Sequence, residues 1–199
     1  MLELKRVRLP RPGIKLGGTE GVQIVELAVV LPLLMVLLVG IFDFGNAFNL
    51  KQKLNNATRS AARFGASSPT NDLTSAGTPN SVLSIRNFVD DALTSGGVNE
   101  CNLRTVGGSS SGTLQWTFTA NGNGCPAPGL TLLVDRSCCQ PPTLGATLGG
   151  QTVQVISTHI QISYTYKWTF NNVIGLIAPG STYPGTSPII TDAYVANLD

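Results

Sequence analysis

Residues 21–43 read GVQIVELAVVLPLLMVLLVGIFD, an apolar run with one acid, Glu26, near its start and one proline, Pro32, in its middle. Sixteen residues from Leu27 to Phe42 carry no charge, and counting from Val22 gives twenty-one with Glu26 among them. About 20 residues at a 1.5 Å rise cross a ~30 Å hydrocarbon core, so the run is long enough to span a bilayer once. Five basic residues (Lys5, Arg6, Arg8, Arg11 and Lys15) precede it, beside only Glu3 and Glu20. A basic flank stays cytoplasmic, so the chain after the run is expected to be exported. The run ends in Gly40, Phe42, Asp43 and Gly45 rather than in the small-residue site of an ordinary signal peptide, so the anchor is expected to be retained.

The rest of the composition follows from this division. The 199 residues have room for one further domain, and the net charge of +2 comes from the leader. Without residues 1–21, thirteen basic side chains fall to eight and eleven acidic ones to nine, a net charge of −1. No basic surface remains to indicate nucleic-acid binding. The four cysteines, Cys101, Cys125, Cys138 and Cys139, all lie in the exported half, where one or two disulfides are expected. Three pairings are open, with the adjacent Cys138 and Cys139 expected to take different partners. The short spacing typical of a zinc site is absent, so no metal is expected.

A carboxylate at the mouth of a membrane segment is costly and calls for a partner or a task. Its plain reading is a side chain snorkelling to the interface. A sharper one pairs it with a cation: if the chain is cut after Gly21, the new amino group on Val22 lies one helical turn from Glu26. An amine from the same or a neighbouring subunit could then neutralise it, and two charges buried together cost far less than either alone. Pro32 frees the carbonyl of Ala28, so a kink or local loosening of the helix is expected there.

A glycine, four residues, a glutamate and a long apolar run behind a basic leader resemble a class III prepilin peptidase site. The fuller stretch Glu26-Leu27-Ala28-Val29-Val30-Leu31-Pro32-Leu33-Leu34, then Gly40-Ile41-Phe42-Asp43-Phe44-Gly45 and Ala57-Thr58-Arg59-Ser60-Ala61-Ala62-Arg63-Phe64-Gly65-Ala66, is similar to the TadE-like family, pseudopilins of the Tad (Flp, tight adherence) pilus system. The family usually has Phe or Tyr at the position of Leu27, Glu at Asp43 and Arg at Asn46. The resemblance implies that Gly21 ends a cleaved leader and Val22 begins the mature protein. It further implies that Glu26 registers the subunit against its neighbours. The implied partners are a prepilin peptidase, other pseudopilins, the inner-membrane assembly platform and membrane lipid.

Beyond Asp43 the helical spacing continues through Leu50, Leu54, Ala57, Ala61 and Phe64, with Lys51, Lys53, Arg59 and Arg63 on other faces. One helix is therefore expected over 22–66, its transmembrane part over about 22–43, and its apolar stripe packed on the chain's own domain. A leader (1–21) precedes it; a turn-rich linker (67–80) and an exported α+β domain (81–199) follow. Val82, Ile85, Val89 and Leu93 predict a short helix ending near Gly96 and Gly97. Leu114, Trp116, Phe118 and Ala120 alternate as a strand, as do Ile160, Ile162, Tyr164, Tyr166, Trp168 and Phe170, with a bulge expected near 156–159. A last strand from Ile189 to Leu198 is expected to pair with this one in a small antiparallel sheet. The Gly-rich segments 107–112, 121–124 and 145–150 read as surface connections.

No convergent catalytic set is visible. His159 stands alone on a strand, Asp90 and Asp91 point in different directions, and nucleophile-elbow, HExxH and phosphate-loop patterns are absent. The sequence therefore predicts a non-enzymatic membrane protein without cofactor or nucleic-acid partner, and the resemblance implies a role in pilus assembly through protein contacts. A different class remains open: an unprocessed, signal-anchored exported domain that recognises a glycan or another surface ligand through the aromatic stripe.

Overall fold

The structure is a computed structural model that describes residues 19–74, 77–138, 146–148, 151–153, 157–170, 180 and 185–197. One helix, α1 (Thr19–Ala66), runs unbroken through Pro32 and is followed by α2 (Asn80–Ser95) and a short 3-10 turn, Leu103–Thr105. The strands are β1 (Ser109–Gly112), β2 (Gln115–Ala120), β3 (Leu130–Cys138), β4 (Ala146–Leu148), β5 (Gln151–Val153), β6 (Ser157–Lys167) and β7 (Thr186–Ala196). Five of them form an antiparallel sheet in the order β1-β2-β3-β6-β7, and β4 and β5 pair separately. The fold is α+β: a long amino-terminal apolar helix leading into a domain of one sheet and one short helix.

The carboxyl-terminal half of α1 and all of α2 cover one face of the sheet. The α1 stripe Leu54, Ala57, Ala61, Ala62 and Ala66 is buried, together with Val82, Ile85, Val89 and Leu93 of α2. These meet Phe118, Leu130, Leu132, Val134, Ile160, Ile162 and Tyr164 of the sheet. Small residues in α1 let the helix lie close: a β-carbon on Gly65 would come within 2.8 Å of Thr158 Cγ2 and 3.1 Å of Ile85 Cδ1. Phe64, read from its spacing as part of the stripe, lies at the edge of the packing and stacks on Phe88 with ring centroids 4.9 Å apart.

Three polar ties fasten the helix to the head. Asp43 accepts from Tyr166 and Phe170, and the Thr58 and Thr191 hydroxyls lie 2.8 Å apart. At the far end the buried Arg136 donates from Nη2 to the Ser68 carbonyl at 3.0 Å. α2 lacks a side-chain cap from Pro79; instead Asp72 accepts from Ser81 N at 2.7 Å and from Ser81 Oγ at 2.8 Å. Burial of Asp72 works against its ionisation, but the Ser81 bonds and the Arg136 charge prevail and hold its pKa below the ordinary carboxylate value. An Asp72→Ala variant is expected to lose about 1 kcal/mol of head stability, measurable by urea unfolding at neutral pH. Because the folded pKa is depressed, this contribution is present above the ordinary carboxylate range and is lost as pH falls through the folded value.

Three segments differ from the sequence reading. Ser109–Gly112 lies in a segment read as a surface loop but pairs as an edge strand with β2, with a register shift between Ser110 and Gly112. Gly and Ser carry no apolar alternation, so only tertiary pairing reveals this strand. β3, the central strand, was not singled out because Leu130, Leu132, Leu133 and Val134 break strict alternation. Leu132 and Val134 enter the core, while Leu133 lies half-buried. Ala146–Leu148, in the segment read as the 145–150 loop, pairs antiparallel with Gln151–Val153. The bulge expected near 156–159 falls partly outside the described residues. β6 is regular from Ser157 to Lys167, and the irregularity sits in β3 between Asp135 and Cys138.

Candidate functional site

α1 begins at Thr19, so the Gly21–Val22 bond lies in its first turn. The first four backbone N–H groups of a helix have no intrahelical acceptor, so extending this bond into a protease would sacrifice little structure. Val22 and Glu26 stand one turn apart, and every side chain from Gly21 to Met35 is exposed within the single chain. That surface is apolar apart from Glu26 and Gln23, and Pro32 interrupts neither the helix nor its exposure. A largely apolar, uncovered helix of this length fits a membrane anchor.

The head begins to cover the helix at Asp43, whose side chain is 3% exposed. Tyr166 Oη donates to Asp43 Oδ1 at 2.7 Å and lies 3.2 Å from the Asp43 carbonyl oxygen, while the Phe170 backbone N–H donates to Oδ2 at 2.8 Å. Both carboxylate oxygens are thus engaged by a segment more than 120 residues away in sequence. Burial and the adjacent Asp43 carboxylate push the Tyr166 phenol up to about 12, so it remains a donor across the physiological range. Aromatic rings surround the pair. Trp168 packs on Phe44 at 5.3 Å and edge-on to Tyr166 at 4.9 Å, and its indole N–H donates to Ser187 Oγ.

The sequence marks Asp43 as the end of the apolar run and as a position where the resembling family usually has Glu, and Tyr166, Trp168 and Phe170 as one face of a strand. Tyr164 does enter the core; the three beyond it are half-buried and turn toward the helix where it emerges. Continuation of the period-two aromatics past the end of β6 at Lys167 was the available signal. Asp43 is also the only acid between Glu26 and Asp72.

Cys101 and Cys125 form a disulfide with Cα atoms 5.6 Å apart. The expectation that the adjacent cysteines divide these two between them is thereby corrected. Gly122 N donates to Cys101 O, bringing the two loops together, whereas Cys138 lies at the opposite end of the sheet, across from Ser157. The Cys138 side chain and Cys139 lie outside the described structure. His159 is buried and stacks on Tyr194 at 4.0 Å; burial holds its pKa below the usual histidine value, against the opposing charges of Asp135 and Asp192. Asp90 and Asp91 both pair with Arg104. Among the described residues no three His, Cys, Asp or Glu side chains converge as metal ligands.

A long apolar helix, continuous with the helix that backs a small α+β head, fits a membrane-anchored protein. Residues 21–63 match the family model described as TadE-like protein. This supports a component related to the Tad pilus. No curated protein and no solved structure matches the chain.

Proposed function

We propose that this protein is a minor pilin-like subunit, a pseudopilin, that serves assembly of a Tad-type pilus through protein contacts and catalyses no reaction. The leader is removed after Gly21 by a prepilin peptidase on the cytoplasmic face of a bacterial inner membrane. The mature chain crosses the membrane once and presents its head on the exported side. The observation that carries this reading is the first stretch of α1. It joins a processing glycine, an acid one turn beyond the new terminus and an uncovered apolar surface in one rigid element inside the TadE-like match. Glu26 neutralises the Val22 amine of its own or an adjoining subunit and so sets the register against other pseudopilins and the assembly platform.

The test is the amino terminus and mass of the protein from cells with and without the prepilin peptidase. A chain starting at Val22, lost in the peptidase mutant and on Gly21→Ala, is expected. An intact basic leader in both strains overturns the proposal and favours an unprocessed, signal-anchored binding domain. Glu26→Ala is expected to leave membrane insertion intact and abolish most piliation; normal piliation would show that the acid is merely tolerated.

A further inference from the structure

The apolar exterior of α1 does not stop where the head begins. Phe44 and Phe48, one turn apart, are 64% and 63% exposed, although the residue before each, Asp43 and Ala47, is buried against the head. From Gln52 onward the uncovered face of the helix is polar, with Asn56, Arg59, Ser60 and Arg63 exposed. The uncovered apolar surface therefore extends from Val22 to Phe48, and its length is informative. Val22–Asp43 spans ~33 Å, close to the hydrocarbon core alone, whereas Val22–Phe48 spans ~40 Å, which includes a headgroup layer.

The head reaches down to the same level. A β-carbon on Gly40 would lie 3.8 Å from Phe170 Cε2, so the Phe170 ring sits against the helix nearly one turn deeper than Asp43. Trp168 rests on Phe44 with its indole N–H satisfied by Ser187. Amphipathic aromatics concentrate at the boundary between acyl chains and headgroups. A carboxylate at that depth needs its oxygens satisfied by protein, and here Tyr166 and Phe170 satisfy them.

We infer that Phe44, Phe48, Trp168 and Phe170 form an aromatic collar that seats the base of the head in the outer headgroup layer of the bilayer, with Asp43 sealed behind it. The head is then fixed to the membrane surface on one side rather than standing clear on an exposed stalk. The occupant is lipid because Phe44 and Phe48 continue the exposed ridge of Leu37 and Ile41 on the anchor helix, while Asn46 and Asn49 open a polar side beside it. This inference rests on the anchor reading of α1.

The test uses the full chain in vesicles of phosphatidylethanolamine and phosphatidylglycerol, first checked for co-flotation. Trp168 and Trp116 are the only tryptophans. Trp116 is buried and pairs with Val134, opposite Ile160, toward the far end of the sheet. In a Trp116→Phe variant, lipid brominated near the headgroup end of its chains is expected to quench Trp168 roughly twofold or more, and lipid brominated at the chain terminus much less. Aqueous iodide is expected to have little effect. The chain with both tryptophans gives the same reading as a partial loss, which Trp168→Phe should abolish, so the result does not depend on the folding of one variant. A floating protein whose Trp168 responds to iodide and ignores brominated lipid overturns the collar. So does a Trp168 shielded from both quenchers, which would mean that another protein subunit covers it. Failure to float overturns the anchor reading itself, and the collar with it.

Discussion

Asp43→Ala is expected to free the base of the head from the helix and to speed hydrogen exchange at the Phe170 amide by roughly 30- to 1000-fold. That range corresponds to about 2–4 kcal/mol, below the full sum of two hydrogen bonds to a charged group at ~1.5–3 kcal/mol each, because the two share one carboxylate and do not add. The variant removes the acceptor while leaving the Tyr166 hydroxyl and the Phe170 N–H close to an apolar surface, so the cost exceeds that of an exposed pair. The remaining ties, Thr58–Thr191 and Arg136–Ser68, lie farther along α1, so the head should stay folded and open only at its base. Tyr166→Phe should lose the phenol bond alone and keep Phe170 protected. Unchanged exchange at Phe170 in Asp43→Ala would show that the carboxylate does not hold this segment.

The same pair makes a prediction about pH. The Tyr166 pKa is raised to about 12, so its stabilising contribution is complete below the ordinary tyrosine value of ~10 and is lost as pH rises through about 12. Asp43→Asn removes the charge and should bring the Tyr166 titration, followed by phenolate absorbance, down toward the ordinary value. Asp43→Glu, the residue more usual in the TadE-like family at this position, offers the same charge one methylene farther out and tests how closely the carboxylate must sit.

How much of this was legible in the sequence depends on what kind of signal each part leaves. The helix from the membrane into the head was readable because both halves carry strong local patterns, an uncharged run and then apolar residues every three or four positions. β2 and β6 are readable because apolar residues recur at every second position, Trp116, Phe118 and Ala120 in one and Ile160, Ile162, Tyr164 and Tyr166 in the other. β3 was less so because its outward Leu133 is also half-covered, and β1 left no signal because Ser and Gly can pair without burying anything. Gly21, Val22 and Glu26 stand out by order and spacing within a short segment. The Asp43 junction could not be found this way. It joins residue 43 to residues 166 and 170, and neither end shows in its own neighbourhood that the other exists.

The disulfide shows the same limit and carries the second large effect. Reducing it, or replacing both cysteines with serine, is expected to cost the head about 3–4 kcal/mol, from the loop entropy restored to the unfolded chain by freeing a link across 24 positions. The cost is concentrated because Cys101 does more than close a loop. It is fully buried and, with Asn102, adopts a left-handed backbone (φ of 58° and 62°) that non-glycine residues seldom take. Asn99 Oδ1 accepts from the Cys101 N–H at 2.9 Å, and the Cys101 carbonyl accepts from Gly122 N at 2.8 Å, so the crosslink, the turn and the start of the next loop hold one another. Cys125 Sγ lies 4.0 Å from the hydroxyl of Tyr164, which is opposite Leu130 in the sheet and two residues before Tyr166. Loss of the disulfide should therefore loosen the end of the sheet that faces the membrane and reach the Asp43 junction through β6. Urea unfolding of the oxidised and reduced full chain, in detergent, measures the cost. Hydrogen exchange at Phe170 measures its spread. A change below about 1 kcal/mol would mean that the buried turn holds without its crosslink, and unchanged Phe170 exchange would confine the effect to the loops it joins.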